Sequence, residues 1–278
     1  LALPGASTEV PVVSIGVVGA GPYGLSFAYQ MRRRGYRVTV YDAREKPGGM
    51  LRYGIPDYRL PPDVLDAEIK KILDLGVKLK CNTRIGRDIS LHELRDRHDC
   101  LYLGIGAERG ARLNLPGMDG QGVLTAVEYL GRVNAGESVD LGSHVVVVGG
   151  GNSAMDAART ARRQGSAVTI LYRRTMAEMP ASPAEIEEAV EEDVKLVLLA
   201  APVRAERDNN GNLAAVHAER MQLGELDASG RGRPMTIPGS EFRIEATALV
   251  SAVSQRPELA GLEELESDQG WLISGQQG

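Results

Sequence analysis

One pattern occurs twice in this chain and limits what it can fold into: an apolar strand, a glycine cluster, a helix of small residues and a second strand. The first copy runs from residues 12–18 through Gly19-Ala20-Gly21-Pro22-Tyr23-Gly24 into a helix over 22–34. Gly35 ends that helix, and the strand Arg37–Tyr41 comes next. The second copy runs from His144–Val148 through Gly149-Gly150-Gly151-Asn152-Ser153-Ala154 into a helix over 153–164 and the strand Ala167–Tyr172. β-Branched runs followed at once by glycines read as buried parallel strands. At such a turn the first glycine permits the bend, the second lets the backbone approach a pyrophosphate, and the third lets helix and strand pack closely. The helix N-terminus offers free N–H groups and a positive dipole end to the anion.

The residues at the end of each second strand separate the two copies. Asp42 stands eighteen residues beyond Gly24, where a carboxylate can accept both ribose hydroxyls of an adenosine. The same step from Ala154 lands on Tyr172, with Arg173 and Arg174 directly after it. A carboxylate there would repel a 2′-phosphate, whereas guanidinium groups pair with one. The register favours NADP at the second site, with NAD the alternative; the other reading of Arg173 and Arg174 is solvated charge after a strand. Two fingerprints imply two dinucleotides, and the economical pairing is FAD in the acidic-ended site with a nicotinamide in the basic-ended one. The cofactors then carry the chemistry and no catalytic side chain is expected. The predicted fold class is α/β, with two Rossmann-like dinucleotide-binding domains and the nicotinamide domain inserted in the FAD domain. The expected boundaries are 1–125 with 247–278 for the FAD domain and 126–246 for the NAD(P) domain.

The remaining segments fill in this plan. Residues 43–61 are rich in Gly and Pro and read as a long ordered loop of the kind that carries function. An amphipathic helix is expected over 62–75 and strands over 77–81 and Cys100–Leu103, the latter running into Gly104-Ile105-Gly106. Ser90 and Glu93 have capping-box spacing for a short helix. In the second half an acidic helix over 184–192, whose run Glu185, Glu187, Glu188, Glu191 and Glu192 reads as a solvated face, and a strand over 195–199 are expected. Residues 203–244, with the turn signal Asp208-Asn209-Asn210-Gly211-Asn212, read as antiparallel strands on the edge of the second unit, before a strand over 246–254. Residues 1–10 read as a linker, and a start at Leu1 suggests an excerpt from a longer polypeptide.

Composition excludes several classes. The formal charge of −5 argues against nucleic acid as a partner. Two cysteines, Cys81 and Cys100, cannot supply a disulfide framework, a C-x-x-C pair, a Cys-rich zinc site or a self-contained iron–sulfur cluster. His92, His98, His144 and His217 have no ligand spacing, so no metal site is expected. No apolar run reaches a membrane span of about 20 residues and no signal segment opens the chain. The expected location is the cytoplasm.

The longer motifs are more specific. Gly19–Gly24 with Lys46-Pro47-Gly48-Gly49-Met50-Leu51-Arg52-Tyr53-Gly54-Ile55-Pro56 and Tyr58-Arg59-Leu60-Pro61 resembles the small subunit of NADPH-dependent glutamate synthase. It is similar also to the flavin/NADPH module of dihydropyrimidine dehydrogenase and to the NADPH-site flavoprotein subunit of bifurcating ferredoxin:NADP oxidoreductases. Residues 149–156, Tyr172-Arg173-Arg174 and Glu178-Met179-Pro180-Ala181 extend the match over nearly the whole chain. The resemblance implies that the loop with Gly48, Gly49, Met50 and Leu51 runs along FAD, and that Arg59 contacts it. It implies that the backbone near Ile85 and the segment through Gly104 and Gly106 close over the flavin's adenosine half. It implies NADP contacts from Asn152, Ser153, Arg173 and Arg174, and a place near the nicotinamide for the stretch beginning at Ala252.

Three departures accompany the match. There is no cysteine-rich region before the FAD strand, Ser254 replaces a glycine, and the chain ends before the Gly-Asp segment and helix that would complete the flavin site. The implied activity is an FAD-dependent NAD(P)H oxidoreductase module passing electrons from NADPH through FAD to iron–sulfur centres of a partner domain or subunit in a larger polypeptide or complex. The alternatives are a flavoprotein-derived docking module without turnover, and the reverse reaction, reduction of NADP from ferredoxin.

Overall fold

The computed structural model describes residues 13–228, 230–265 and 267–273. The expected linker over 1–10 lies outside these residues. Two compact units are present. One contains the described residues up to Arg109 and from Arg256 onward; the other is Gly110–Gln255.

The first unit is built on four parallel strands: β1 (Ser14–Val18), β2 (Arg37–Tyr41), β3 (Lys78–Lys80) and β4 (Cys100–Leu103). Their order is β3-β2-β1-β4. Side chains alternate between faces along a strand. Ile15, Val17, Val38 and Val40 therefore meet Leu25 and Ala28 of α1 (Pro22–Arg33) and Leu65 and Ile69 of α3 (Pro62–Leu73). Val18 and Tyr41 point the other way and pack with Ile85, Leu262, and Leu91 and Leu94 of α4 (Leu91–Arg97). The capping box opens α4 as expected: Glu93 N donates to Ser90 Oγ at 3.1 Å, and Ser90 N to Glu93 Oε2 at 3.0 Å. The Gly/Pro-rich loop is not wholly irregular, because Met50–Tyr53 forms a one-turn helix, α2.

The chain leaves this unit at β5 (Arg109–Gly110) and returns at β15 (Gln255–Arg256), ending in a hairpin of β16 (Ser267–Asp268) and β17 (Trp271–Leu272). Between the crossings lie β6 (Val123–Thr125), α5 (Ala126–Asn134), β7 (His144–Val148), α6 (Asn152–Arg163), β8 (Ala167–Tyr172), α7 (Pro183–Glu191) and β9 (Lys195–Leu198). Then come β10 (Ala200–Arg207), β11 (Leu213–Leu226), β12 (Gly232–Thr236), β13 (Phe242–Glu245) and β14 (Ala248–Ser251). A parallel sheet runs β6-β14-β7-β8-β9. On one face Val145 and Val147 pack against Tyr129 and Leu130 of α5, Met155 and Ala158 of α6 and Ile186 of α7. On the other, Val146, Val148, Leu171 and Leu249 pack against Leu213, Val216 and Ala218 of β11.

Three expectations are corrected here. The antiparallel strands do not extend the sheet edge; they form their own sheet, β10-β11-β12 with β13 on β11, laid over a face of the parallel sheet. The physical reason is that β11 buries Leu213, Val216 and Ala218 against that face. Next, the boundaries fall at 109/110 and 255/256 rather than 125/126 and 246/247. β6 and β14 pair within the second unit's sheet, with Ala248 opposite Val145 and Leu249 opposite Val123. Finally, the acidic helix is not purely a solvated face, since Glu188 and Glu192 bind the buried Arg159 of α6.

Candidate dinucleotide sites

In the first unit the glycine loop is shaped by its own backbone. Gly19 has φ +99°, and a Cβ there would lie 2.4 Å from Gly104 O. Gly24, in the first turn of α1, lies so close to the loop that a Cβ would sit 1.8 Å from Gly19 O, which is the helix–strand packing expected of the third glycine. Gly21 differs, for the nearest atom to a Cβ would be Gly49 Cα at 3.7 Å. It is the N-cap of α1 with no side chain capping the helix, and Pro22 occupies the first turn. The N–H groups of Tyr23 and Gly24 thus have no acceptor within the helix. Tyr23 itself is strongly exposed.

Asp42 is buried at the end of β2, accepting from Ala20 N (2.6 Å) at Oδ2 and from Arg44 N (2.8 Å) at Oδ1. The carboxylate is thereby anchored to the glycine loop, and each oxygen keeps a second lone pair for another donor. The Pro-Gly-Gly loop packs on the same backbone. Gly48 N donates to Ala20 O at 2.8 Å, and Gly49, at φ +53°, lies where a Cβ would be 2.6 Å from Gly21 Cα. Met50 and Leu51 open α2, with Leu51 packed on the unit's core. Gly104 N donates to Val18 O at 2.7 Å, and the region around Gly106 is open, with nothing within 4 Å of a Cβ. Ile85 buries its side chain in the core, so any ligand contact it makes comes from its backbone. Arg59 is exposed beyond α2.

The second unit repeats the construction. A Cβ on Gly149 would lie 2.5 Å from Ala252 O, and Ala252 N donates to Val148 O at 2.8 Å. Ala252 therefore backs the glycine loop. A Cβ on Gly150 would strike the Tyr172 ring, while one on Gly151 would meet only Pro180 Cβ at 4.0 Å. Gly151 is the N-cap of α6, again without a side-chain cap. Asn152 is exposed on the first turn, and Ser153 Oγ accepts from Gln255 Nε2 at 3.3 Å. The motif Glu178–Ala181 braces this loop: Ala181 N donates to Gly150 O at 3.0 Å, and Tyr172 Oη donates to Glu178 O at 2.6 Å. A cleft of about 650 Å³ opens here, lined by Gly149, Gly151, Tyr172, Arg173, Arg174 and Ala252. Leu113, Pro202 and Arg231 also line it and had no local sequence signal, whereas Val253 belongs to the stretch expected near the nicotinamide. A second cleft of about 290 Å³ contains Gly151, Asn152, Ser153 and Ser254.

The two arginines are not equivalent. Arg173 is exposed and makes no hydrogen bond or ion pair among the described residues. Arg174 is 4% exposed, donating from Nε to Gly232 O at 2.9 Å and from Nη2 to Asp227 Oδ2 at 2.6 Å. Its charge is compensated from within the protein because a buried guanidinium without a counter-ion is costly.

Cys81 lies just past β3 and Cys100 opens β4, at opposite edges of the first sheet, with β2 and β1 between them. Three strand spacings separate them by about 14 Å. That is too far for a disulfide. Among the described residues no group of three His, Cys, Asp or Glu is placed to hold a metal, and no helix is long and apolar enough to cross a membrane.

Residues 13–271 match the family model of the pyridine nucleotide-disulphide oxidoreductases, and the chain belongs to that family. The class is that of FAD- and NADP-binding oxidoreductases, as the resemblance implied. Among curated proteins it is 41% identical to the NADP(+)-dependent formate dehydrogenase subunit beta of Moorella thermoacetica, over 90% of this chain and 36% of that one. It is 42% identical to the NADPH-Fe(3+) oxidoreductase subunit beta of Geobacter sulfurreducens, over 88% and 38%. It is 39% identical to the glutamate synthase [NADPH] small chain of Azospirillum brasilense, over 88% and 53%. The chain thus spans between about a third and a half of these relatives. Among solved structures, FprA of Mycobacterium tuberculosis in complex with NADPH shares the fold, with a TM-score of 0.76 at 20% identity over 88% of this chain and 71% of that one.

Proposed function

We propose that this chain is the flavin- and nicotinamide-binding module of an NADPH oxidoreductase. FAD is held by the first unit and NADP(H) by the second, and electrons pass on to iron–sulfur centres of a partner segment or subunit. The observation that carries the reading is the contrast between two cradles of like construction. Asp42, fixed against the loop of Gly19–Gly24, suits two ribose hydroxyls, whereas Arg173 beside the loop of Gly149–Gly151 suits a 2′-phosphate. The open sides of Gly21, Gly106 and Gly151 fit the groups, because a side chain there would occupy the space a pyrophosphate needs.

In this reading Gly21 and the first turn of α1 receive the flavin's phosphates, the loop of Gly48–Leu51 and Arg59 flank it, and Gly104–Gly106 and the Ile85 backbone close its adenosine end. In the second unit Asn152 and Ser153 present the first turn of α6 to the NADP phosphates, and Ala252 holds the loop in place. The chemistry a bound FAD supplies is the conversion of a two-electron hydride into single electrons. The chain's own part is binding and orientation. Relatives named as a beta subunit or a small chain support a partner subunit. A cytoplasmic setting agrees with Cys81 and Cys100 as free thiols.

The test is an anaerobic titration of the purified full chain with added FAD. The expected result is flavin uptake and bleaching of its absorbance by NADPH at concentrations where NADH acts weakly. Arg173→Ala should lower that preference about tenfold, the size of one charge-assisted contact. A chain that takes up no flavin, or whose flavin NADPH leaves oxidised, refutes the reading.

A further inference from the structure

We propose that Asp227 is a positioning residue for recognition of the 2′-phosphate: it aims the buried Arg174 into the nucleotide cleft. The proposal rests on the NADP reading above and adds a residue fifty-three positions away from Arg174 in the chain.

The geometry lies in the turn between β11 and β12. Asp227 N donates to Arg231 O at 2.8 Å, Gly230 N to Asp227 O at 2.9 Å, and Arg231 N to Asp227 Oδ1 at 3.3 Å. The backbone of Asp227 and its Oδ1 are therefore held within the turn itself. Its Oδ2 accepts from Arg174 Nη2, and Gly232 O, just past the same turn, accepts from Arg174 Nε. Nε and Nη2 form one edge of the planar guanidinium. With that edge held by the hairpin, the plane of the group is set. The Nη1 donors make no hydrogen bond or ion pair among the described residues. Arg174 lines both the 650 Å³ cleft with Gly151 and an adjoining cleft of about 520 Å³ with Arg173 and Arg233. A donor pair held at a fixed angle loses less freedom on meeting a phosphate than one on a mobile side chain. Asp227 also supplies the charge that lets Arg174 remain buried while the cleft holds no anion. It leaves Arg173 as the exposed member of the pair.

The experiment measures dissociation constants of adenosine 2′,5′-bisphosphate and 5′-AMP, which differ only in the 2′-phosphate, for the full chain saturated with FAD. Asp227→Ala should weaken the bisphosphate about tenfold. 5′-AMP should be unchanged, so that the preference ratio falls. Asp227→Asn keeps an acceptor oxygen at the same reach and should restore most of the ratio. If Asp227→Ala does not fold, Asp227→Glu, which displaces the carboxylate by one methylene, should lower the ratio instead. An equal loss for both ligands would reduce Asp227 to a structural ion pair, and a ratio that is unchanged or rises would overturn the proposal. Arg173→Ala separates the two readings. A wild-type chain with no preference for the bisphosphate defeats the NADP reading and this inference with it. A preference lost in Arg173→Ala but intact in Asp227→Ala defeats the inference alone.

Discussion

Gly24 and Gly21 are three residues apart in one motif, yet the fold uses them for different ends. The Cβ of an alanine at 24 would fall 1.8 Å from the carbonyl oxygen of Gly19, which is backbone and cannot swing aside. Gly24→Ala must lift α1 off β1, and it should cost the first unit about 2 kcal/mol or more. The Cβ of an alanine at 21 would meet nothing nearer than 3.7 Å, and the residue's φ of −77° suits any side chain. Gly21→Ala should leave the flavin-free melting temperature unchanged while weakening FAD, since the methyl occupies the open side of the loop. Thermal melts without flavin, paired with flavin titrations, separate the two. If Gly21→Ala also melts early, the loop is not open where the cradle needs it.

Helices α6 and α7 are joined by charge as well as by packing. Arg159, 6% exposed, donates to Glu188 and, at 2.7 Å, to Glu192, while Arg163 reaches the same Glu192 oxygen at 2.7 Å. The hydrogen bond from Arg163, with those from Arg159, holds the Glu192 carboxyl down to about 2 against an ordinary value of 4.5. A folded-state value below the unfolded one stabilises fully above about pH 4.5, and that contribution is lost as the pH falls toward 2. Glu192→Gln should cost about 2 kcal/mol at neutral pH. It should also flatten the acid limb of the second unit's urea midpoint between pH 4.5 and 2, and an unaltered limb would place the acid sensitivity elsewhere.

Much at the scale of elements is legible in the sequence. β1, β2, β7 and β8 are β-branched runs abutting glycines, and the Ser90 cap has a local signature. The three-residue β6 is not legible as a strand, although Thr125 and Glu128 cap α5 with the same spacing: Thr125 N donates to Glu128 Oε2 at 2.8 Å. The place of β14 escapes a local reading because its neighbours β6 and β7 come from distant parts of the chain. The site divides similarly: the glycines, Asp42 and Arg173 announce themselves by register, but the burial of Arg174 depends on Asp227, which no local pattern links to it.

Taken as a whole, the molecule is asymmetric in how its two units are assembled from the chain. Gly110–Gln255 is one uninterrupted stretch, and it buries both faces of its five-stranded sheet with its own residues. The first unit is split: Leu262, from the returning segment, packs with Val18, Tyr41, Leu91 and Leu94, and the backbones of Gly86 and Gly261 approach so closely that a Cβ on either would fall within 2.6 Å of the other. A contiguous unit of this size with two-sided burial is of the kind that folds alone. Residues 110–255 expressed by themselves should therefore melt cooperatively and keep their preference for adenosine 2′,5′-bisphosphate over 5′-AMP. Residues 13–109 alone lack Leu262 and should neither melt cooperatively nor retain FAD. The full chain should then depart from a single two-state transition, with NADP+ raising one step and FAD the other. Calorimetry with each nucleotide in turn decides it. A single transition that both nucleotides shift together would mean that the second unit is not the independent body its core describes.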